Sequence, residues 1–424
     1  MIRKFFATSI SVVLFIEWIL CFHNFSLVSS DYIHLSDLKI LVIIFFFLLL
    51  YLIEKDNKFL ETTVLKKYID KLLLTILLFA IINCFVCYYY RGQDFFETFQ
   101  HWSMFFLLFF YYPFRLMIFK IKDWERVLHY LLIILLVVEI IMMIFPEFLL
   151  FEMTSGNEKF ERENRIRIYG DGALVLGNIL CFNKALIEKK NIIYWLLFAF
   201  SFLCIFLSGF RTVIAACLLI YVYMLLKLRM LKIKYGILSV VVIFVMSFVP
   251  AVQERVNEMI ERNEDATYDN DKYVRVVSVA YYYNEYFKSR YELFFGSGMV
   301  QRIVKNSSTE MGGNYEYKSK YSKDVSYMSI KYHFYPVDWG LIGLSWEAGI
   351  PVVLIIYGLT FYLMFKKTPK QYYYISAWAL LQLLISFNNP LMYHFHNMIF
   401  YALVLVIFEK VLYLEKNKIE VQKC

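Results

Sequence analysis

Twelve apolar runs, each close to the length that crosses a lipid bilayer, leave this chain few folds to choose from. A hydrocarbon core takes about 20 apolar residues per helix, within a range of about 17 to 25. Such runs lie near 5–22, 38–53, 72–90, 100–119, 127–145, 171–187, 192–208, 212–226, 235–250, 340–365, 372–388 and 397–414. Backbone groups in lipid have no water to bond, so runs of this kind are expected to fold as helices that satisfy their own hydrogen bonds. The expected fold class is all-α: a polytopic integral membrane protein of about twelve transmembrane helices. Of the 424 residues, 60% are hydrophobic and only 19% are charged, which excludes both a string of soluble domains and an intrinsically disordered chain.

The charges then set an orientation. Arg3 and Lys4 precede the first run as in a signal sequence, but no small-residue cleavage site follows, so the run reads as a retained signal-anchor with a cytoplasmic N-terminus. Alternation from there puts 1–4, 54–71, 120–126, 184–191, 227–234, 366–371 and 409–424 inside, the C-terminus included. These segments hold more than half of the 44 Lys and Arg, whereas the short outer connections 23–37, 91–99 and 389–396 hold only Arg91. That is the positive-inside pattern. The formal charge of +8 is therefore topological and is no footprint of nucleic acid. Aromatic residues at span ends, Trp18, Tyr88, Tyr89, Tyr90, Trp102, Trp195 and Tyr372, read as interfacial anchors.

Two outer segments exceed a turn: 146–170, within a first part spanning 1–250, and 251–337, which precedes a last part spanning 338–424. The longer one carries twelve basic residues against twelve acidic ones, so it is no simple basic patch. Within it, 273–295 places Val276, Val279, Ala280, Tyr283 and Phe287 at helical spacing, which predicts an amphipathic helix on the membrane surface that Gly296-Ser297-Gly298 ends. Cys84 and Cys87 form a C-x-x-C inside an apolar span and read as core thiols.

Candidate chemistry gathers at the outer face. Arg211, in Ser208-Gly-Phe-Arg-Thr212 between two spans, either snorkels or caps a helix, or presents a planar donor fork to phosphate oxygens. Arg162, Arg165 and Arg167 crowd the first outer loop, where Arg165 and Arg167 can face one way on an extended segment, with Glu161, Glu163 and Asp171 near enough to neutralise them. Arg275 opens the amphipathic helix. Asp338 stands at the mouth of the tenth span as a general base for a hydroxyl or as a helix N-cap. Glu347 lies deeper, suited to helix packing or to an arginine partner, and an offset of nine positions, two and a half helical turns, puts it on the opposite helical face from Asp338. His394-x-His396-Asn397 lacks a third metal ligand at a recognisable spacing, so no metal and no cofactor are expected.

These stretches resemble one family, the membrane glycan polymerases and ligases: Wzy-type O-antigen or capsule polymerases and the O-antigen ligase. Residues 208–212, SGFRT, look like the family's S-x-S-R-T turn, with Phe210 where a second serine is common. RVVSVAYYYNEYFKSRYELFFGSG, from Arg275 to Gly298, is similar to its R-(aromatic-rich helix)-G-x-G element. DWGLIGLSWEAGI, from Asp338, is similar to its H-N-x-(Y/F)-L…E-x-G element. Where ligases carry a histidine ahead of E-x-G, this chain has Asp338, and His333 stands five residues earlier, a departure that favours a polymerase.

The resemblance implies a GT-C-like glycosyltransferase of the bacterial inner membrane. It would transfer a growing glycan from undecaprenyl diphosphate to a hydroxyl of the next lipid-linked repeat unit at the periplasmic face. Arg211 and Arg275, with Arg165 and Arg167, would hold the diphosphate, Asp338 would orient or deprotonate the acceptor hydroxyl, and Glu347 and His333 would support the site. Lipid-linked oligosaccharides, the bilayer and a chain-length regulator protein are the implied partners. Ligation of finished glycan to lipid A-core is the alternative within the family, and a lipid-linked oligosaccharide flippase is the alternative outside it. A flippase is expected to show repeat symmetry and midplane charges, and the sequence has no visible internal repeat.

Overall fold

The computed structural model describes residues 63–93, 95, 98–99, 102–117, 119–144, 171–188, 191–207, 211–230, 287, 289–298, 303–305, 315–317, 340–387 and 395–423, together with Val12, Val13 and Ile16. Helices carry the fold: α1 (Val64–Arg91), α2 (Ser103–Phe106), α3 (Tyr111–Leu116), α4 (Ile121–Ile144), α5 (Asp171–Ile187), α6 (Ile192–Leu207), α7 (Arg211–Lys227), α8 (Arg290–Phe295), α9 (Leu341–Ala348), α10 (Ile350–Phe365), α11 (Tyr373–Ser386) and α12 (Phe395–Lys423). The all-α expectation needs one amendment. Within 251–337, β1 (Ile303–Lys305) pairs antiparallel with β2 (Tyr315–Tyr317), Val304 opposite Glu316.

Among the described residues, two helices are long and apolar enough to cross a membrane, Val64–Arg91 and Asn397–Glu415. Four shorter apolar helices accompany them: Gly172–Ile187, Ile192–Phe206, Thr212–Lys227 and Ile350–Phe365. α1 is apolar on both sides. It buries Ile69, Leu73, Ile76 and Ala80 while Leu74, Leu78, Ile82 and Phe85 form an exposed apolar row, the arrangement of a helix with protein on one side and lipid on the other. The expected runs at 38–53 and 235–250, and nearly all of 5–22, lie outside the described residues.

α5 is the central helix, packed on α4, α6, α11 and α12. Its sequence is polar for a buried span, and the bundle meets much of that polarity internally, although Asn183 Oδ1 is buried without a partner. The Asn178 amide donates to Ser201 Oγ at 2.8 Å and to the Phe198 carbonyl at 3.1 Å, its oxygen accepts from the Tyr221 hydroxyl, and Asn183 donates to the Gln371 carbonyl at 2.9 Å. Away from water an unsatisfied amide costs far more than a polar contact returns, so these asparagines also set how α5 sits against its neighbours.

Long-range contacts sort the helix ends into two groups. At one end Glu409 of α12 receives the Arg115 guanidinium through Nε at 2.8 Å and Nη2 at 3.0 Å, the Tyr111 hydroxyl at 2.7 Å, and the hydroxyl of Thr63. Lys410 donates to the Phe119 carbonyl at 2.5 Å, Lys184 pairs with Glu125 at 2.7 Å and Lys227 donates to Ser376 at 2.8 Å. Every one of these residues is in, or adjoins, a segment that the lysine and arginine distribution assigns to the inside or the helix end next to it. At the other end lie Arg91, Glu292, Ser297, Trp346, Gly340, Ser386, Gly172 and Asn397.

Three expectations are corrected. The run 100–119 is not α-helical throughout: α2 passes directly into a 3-10 segment over Leu107–Phe110, which passes directly into α3. Trp102 is no interfacial anchor, being 3% exposed with its indole N–H spent on Asn83 at 3.0 Å. The run 340–365 is broken at Gly349, where φ of +90° separates α9 from α10.

Candidate functional site

The described residues bring two of the three family-like stretches into direct contact. α8 begins at Ser289, whose hydroxyl caps the Tyr291 N–H at 3.1 Å, and stops after six residues at Gly296. Gly296, with φ +87°, lays its backbone on the carbonyl of Glu347. A Cβ there would lie 2.2 Å from that oxygen, and one at Gly349 would lie 2.6 Å from the Phe294 carbonyl. Only glycine fits either position, because each combines a positive φ with backbone against backbone. Ser297 completes the dock, its N–H and its hydroxyl donating to the Trp346 carbonyl at 2.7 and 3.0 Å. The Gly-Ser-Gly turn thus seats against the helix break.

α1 locks this seat. The Asn83 amide donates to the Phe295 carbonyl at 2.8 Å and the Glu347 carbonyl at 3.2 Å, so a single side chain spans the turn and the break. Its oxygen accepts from Trp102. Arg91, at the last position of α1, donates through Nε to Glu292 Oε1 at 2.6 Å, and the two residues are 1% and 0% exposed. Gly92 in the left-handed region then ends the helix, and a cation in this last turn also faces the negative end of the helix dipole. Gln93 reaches the Ser297 carbonyl at 3.4 Å.

Arg211 is the first residue of α7, and Lys227 at the far end of that helix bonds Ser376. Seventeen residues at the usual helical rise span about 24 Å, which leaves Arg211 at the end of the bundle opposite that contact. Gly340, two residues after Asp338, packs directly against the Ser386 carbonyl at that same end. The break, the docked turn, the start of α7 and the mouth of α9 therefore share one end of the molecule.

Several expected site residues, Arg165, Arg167, Arg275, His333 and Asp338, lie outside the described residues. What surrounds them still alters three readings. The predicted helix over 273–295 is not continuous to its end: Ser289 is extended (φ −147°, ψ 148°), and the described helix starts only at Arg290. The N-cap position of α9 is Gly340, without a side-chain cap bond, so the alternative of Asp338 as the helix cap is withdrawn. And because α9 starts only at Leu341, helical periodicity across 338–347 no longer relates Asp338 to Glu347. Glu347 itself is 5% exposed and its Oε2 is buried without a hydrogen-bond partner; the arginine partner expected for it is absent among the described residues.

Asn83, Arg91, Glu292 and Ser297 were not singled out by the sequence. One sign pointed to Arg91, the lone basic residue of the short outer connections. Cys84 and Cys87 are buried free thiols, as core packing requires. Among the described residues no group of three or more His, Cys, Asp or Glu could hold a metal. No family model matches the chain, and no match is found among curated proteins or solved structures.

Proposed function

We propose that the chain polymerises lipid-linked polysaccharide repeat units, as a twelve-span glycosyltransferase of the bacterial inner membrane with both termini in the cytoplasm. The observation that carries the reading is the seat of the Gly-Ser-Gly turn on the helix break at Glu347-Ala-Gly349. Two stretches that resemble separate elements of the polymerase and ligase family are about fifty residues apart and meet at the end where α7 begins with Arg211. In the proposed reaction the acceptor hydroxyl oxygen bonds to the anomeric carbon of the growing glycan. The bond from that carbon to undecaprenyl diphosphate breaks, its electron pair leaving on the diphosphate, and the hydroxyl proton passes to Asp338. Arg211 and Arg275, with Arg165 and Arg167, stabilise the charge that develops on the diphosphate. A chain-length regulator is the proposed protein partner, and no nucleic acid is involved.

The competing readings differ in what a deletion strain accumulates. Loss of a polymerase leaves single repeats on their acceptor, which is the expected banding. Loss of a ligase leaves polymer on its lipid carrier, and loss of a flippase leaves lipid-linked repeats inside; either result removes the polymerase reading. The proposed topology also puts 251–337 in the periplasm. A cysteine at Ser307, in a background without Cys424, should react with an impermeant thiol reagent in cells whose inner membrane is intact. Labelling only after that membrane is opened contradicts the topology.

A further inference from the structure

Four glutamates are buried among the described residues: Glu125, Glu292, Glu347 and Glu409. Three of them hold a cation, Lys184 at 2.7 Å, Arg91 at 2.6 Å and Arg115 at 2.8 Å respectively. Glu347 holds none, and its Oε2 is buried without a hydrogen-bond partner. A carboxylate withdrawn from water without a partner is costly, and such residues within membrane bundles mark binding or transport sites.

We infer that Glu347 binds a hydroxyl of the acceptor sugar, as a substrate-contacting residue of the proposed polymerase site; the inference rests on that proposed function. The backbone at Glu347 is pinned, since its carbonyl accepts from Asn83 and the residues flanking it, Trp346 and Gly349, carry the docked turn. A pinned backbone holds a side chain ready without cost at the moment of binding. Helical Cα–Cβ bonds tilt toward the N-terminus, which for α9 is the Gly340 end adjoining Asp338. The side chain therefore leaves the backbone toward the Gly340 end of α9. A sugar hydroxyl supplies what it lacks, a donor whose own oxygen remains free to react or to bond elsewhere.

The test uses purified full-length protein in nanodiscs with lipid-linked repeat units, comparing wild type with Glu347→Leu and Glu347→Gln by turnover, by direct binding of the repeat unit, and by thermal unfolding. Loss of a hydrogen bond to the Glu347 carboxyl should raise KM for the acceptor by about 10-fold in the Leu variant, with kcat changed less. Gln, a neutral acceptor, should fall between. Unfolding temperatures should stay level or rise, because no ion pair is lost. An unchanged acceptor KM in Glu347→Leu, or a fall in unfolding temperature in both variants, overturns the inference and makes Glu347 a packing residue. If wild type neither binds nor polymerises the repeat units, the proposed function itself fails, a result distinct from an active wild type with an equally active Glu347→Leu.

Discussion

Asp338→Asn should lower polymerisation by about 100-fold or more, the range in which removal of a positioned general base falls, while lipid-linked substrate still binds. Asparagine keeps the size of aspartate and loses its proton affinity. It also caps helices as well as aspartate does, so with a capping role the same change would be nearly silent. The cap position of α9 is occupied by Gly340 instead, which removes that explanation for any effect seen. The measurement is turnover of purified protein given lipid-linked repeat units, with chelator added to remove any metal contribution. Near-normal turnover by Asp338→Asn rules out the base assignment and turns attention to His333.

Arg91→Ala should destabilise the protein by about 3–5 kcal/mol, the usual cost of leaving one member of a buried ion pair alone. Glu292 is wholly buried and its carboxylate would lose this cation. Glu292→Ala should cost a similar amount. The double variant Arg91→Met with Glu292→Leu should recover most of the loss, since replacing both partners with well-packed apolar groups is often neutral or stabilising. Thermal unfolding and membrane abundance of this double variant and of its matching single variants, Arg91→Met and Glu292→Leu, form a mutant cycle. Single variants whose losses simply add in the double would show that the pair does not fasten α8 to α1. If the fastening matters to activity, the recovered double variant should regain turnover along with stability, because the Gly-Ser-Gly turn is again held against the break.

Much of the helix pattern was legible because apolar length is a local property. The run 171–187 was recognisable despite its asparagines, and it is a helix over Asp171–Ile187 whose Asn178 and Asn183 find partners on other elements. The end of α8 was legible as well, since Gly296 follows it directly and glycine tolerates the φ of +87° adopted there. Its beginning was not. Apolar spacing continues smoothly through Phe287 toward Phe295, and nothing in that spacing marks Ser289 as the capping residue that restarts the helix. The tenth run misled for a related reason: Gly343 and Gly349 lie within it alike, and sequence spacing cannot distinguish a glycine accommodated in a helix from one that breaks it.

By itself the sequence determined much of where helix forms among the described residues and which of those helix ends share a charge character, because burying apolar surface and satisfying backbone groups are decided within each run. The positively charged ends gather where Arg115, Lys184, Lys227 and Lys410 find their partners. Only the tertiary structure decided what those helices hold in place. Arg91 meets Glu292 across 201 positions of chain, and Asn83 meets the Glu347 carbonyl across 264. Pairings at such distances depend on which faces the bundle turns toward one another, and no periodicity within either segment encodes them. The contrast between Glu292 and Glu347 has the same origin. Both are glutamates at the same end of the bundle with almost no exposure, and only the packing of α1 against α8 supplies a cation to the first while the helix break leaves the second without one.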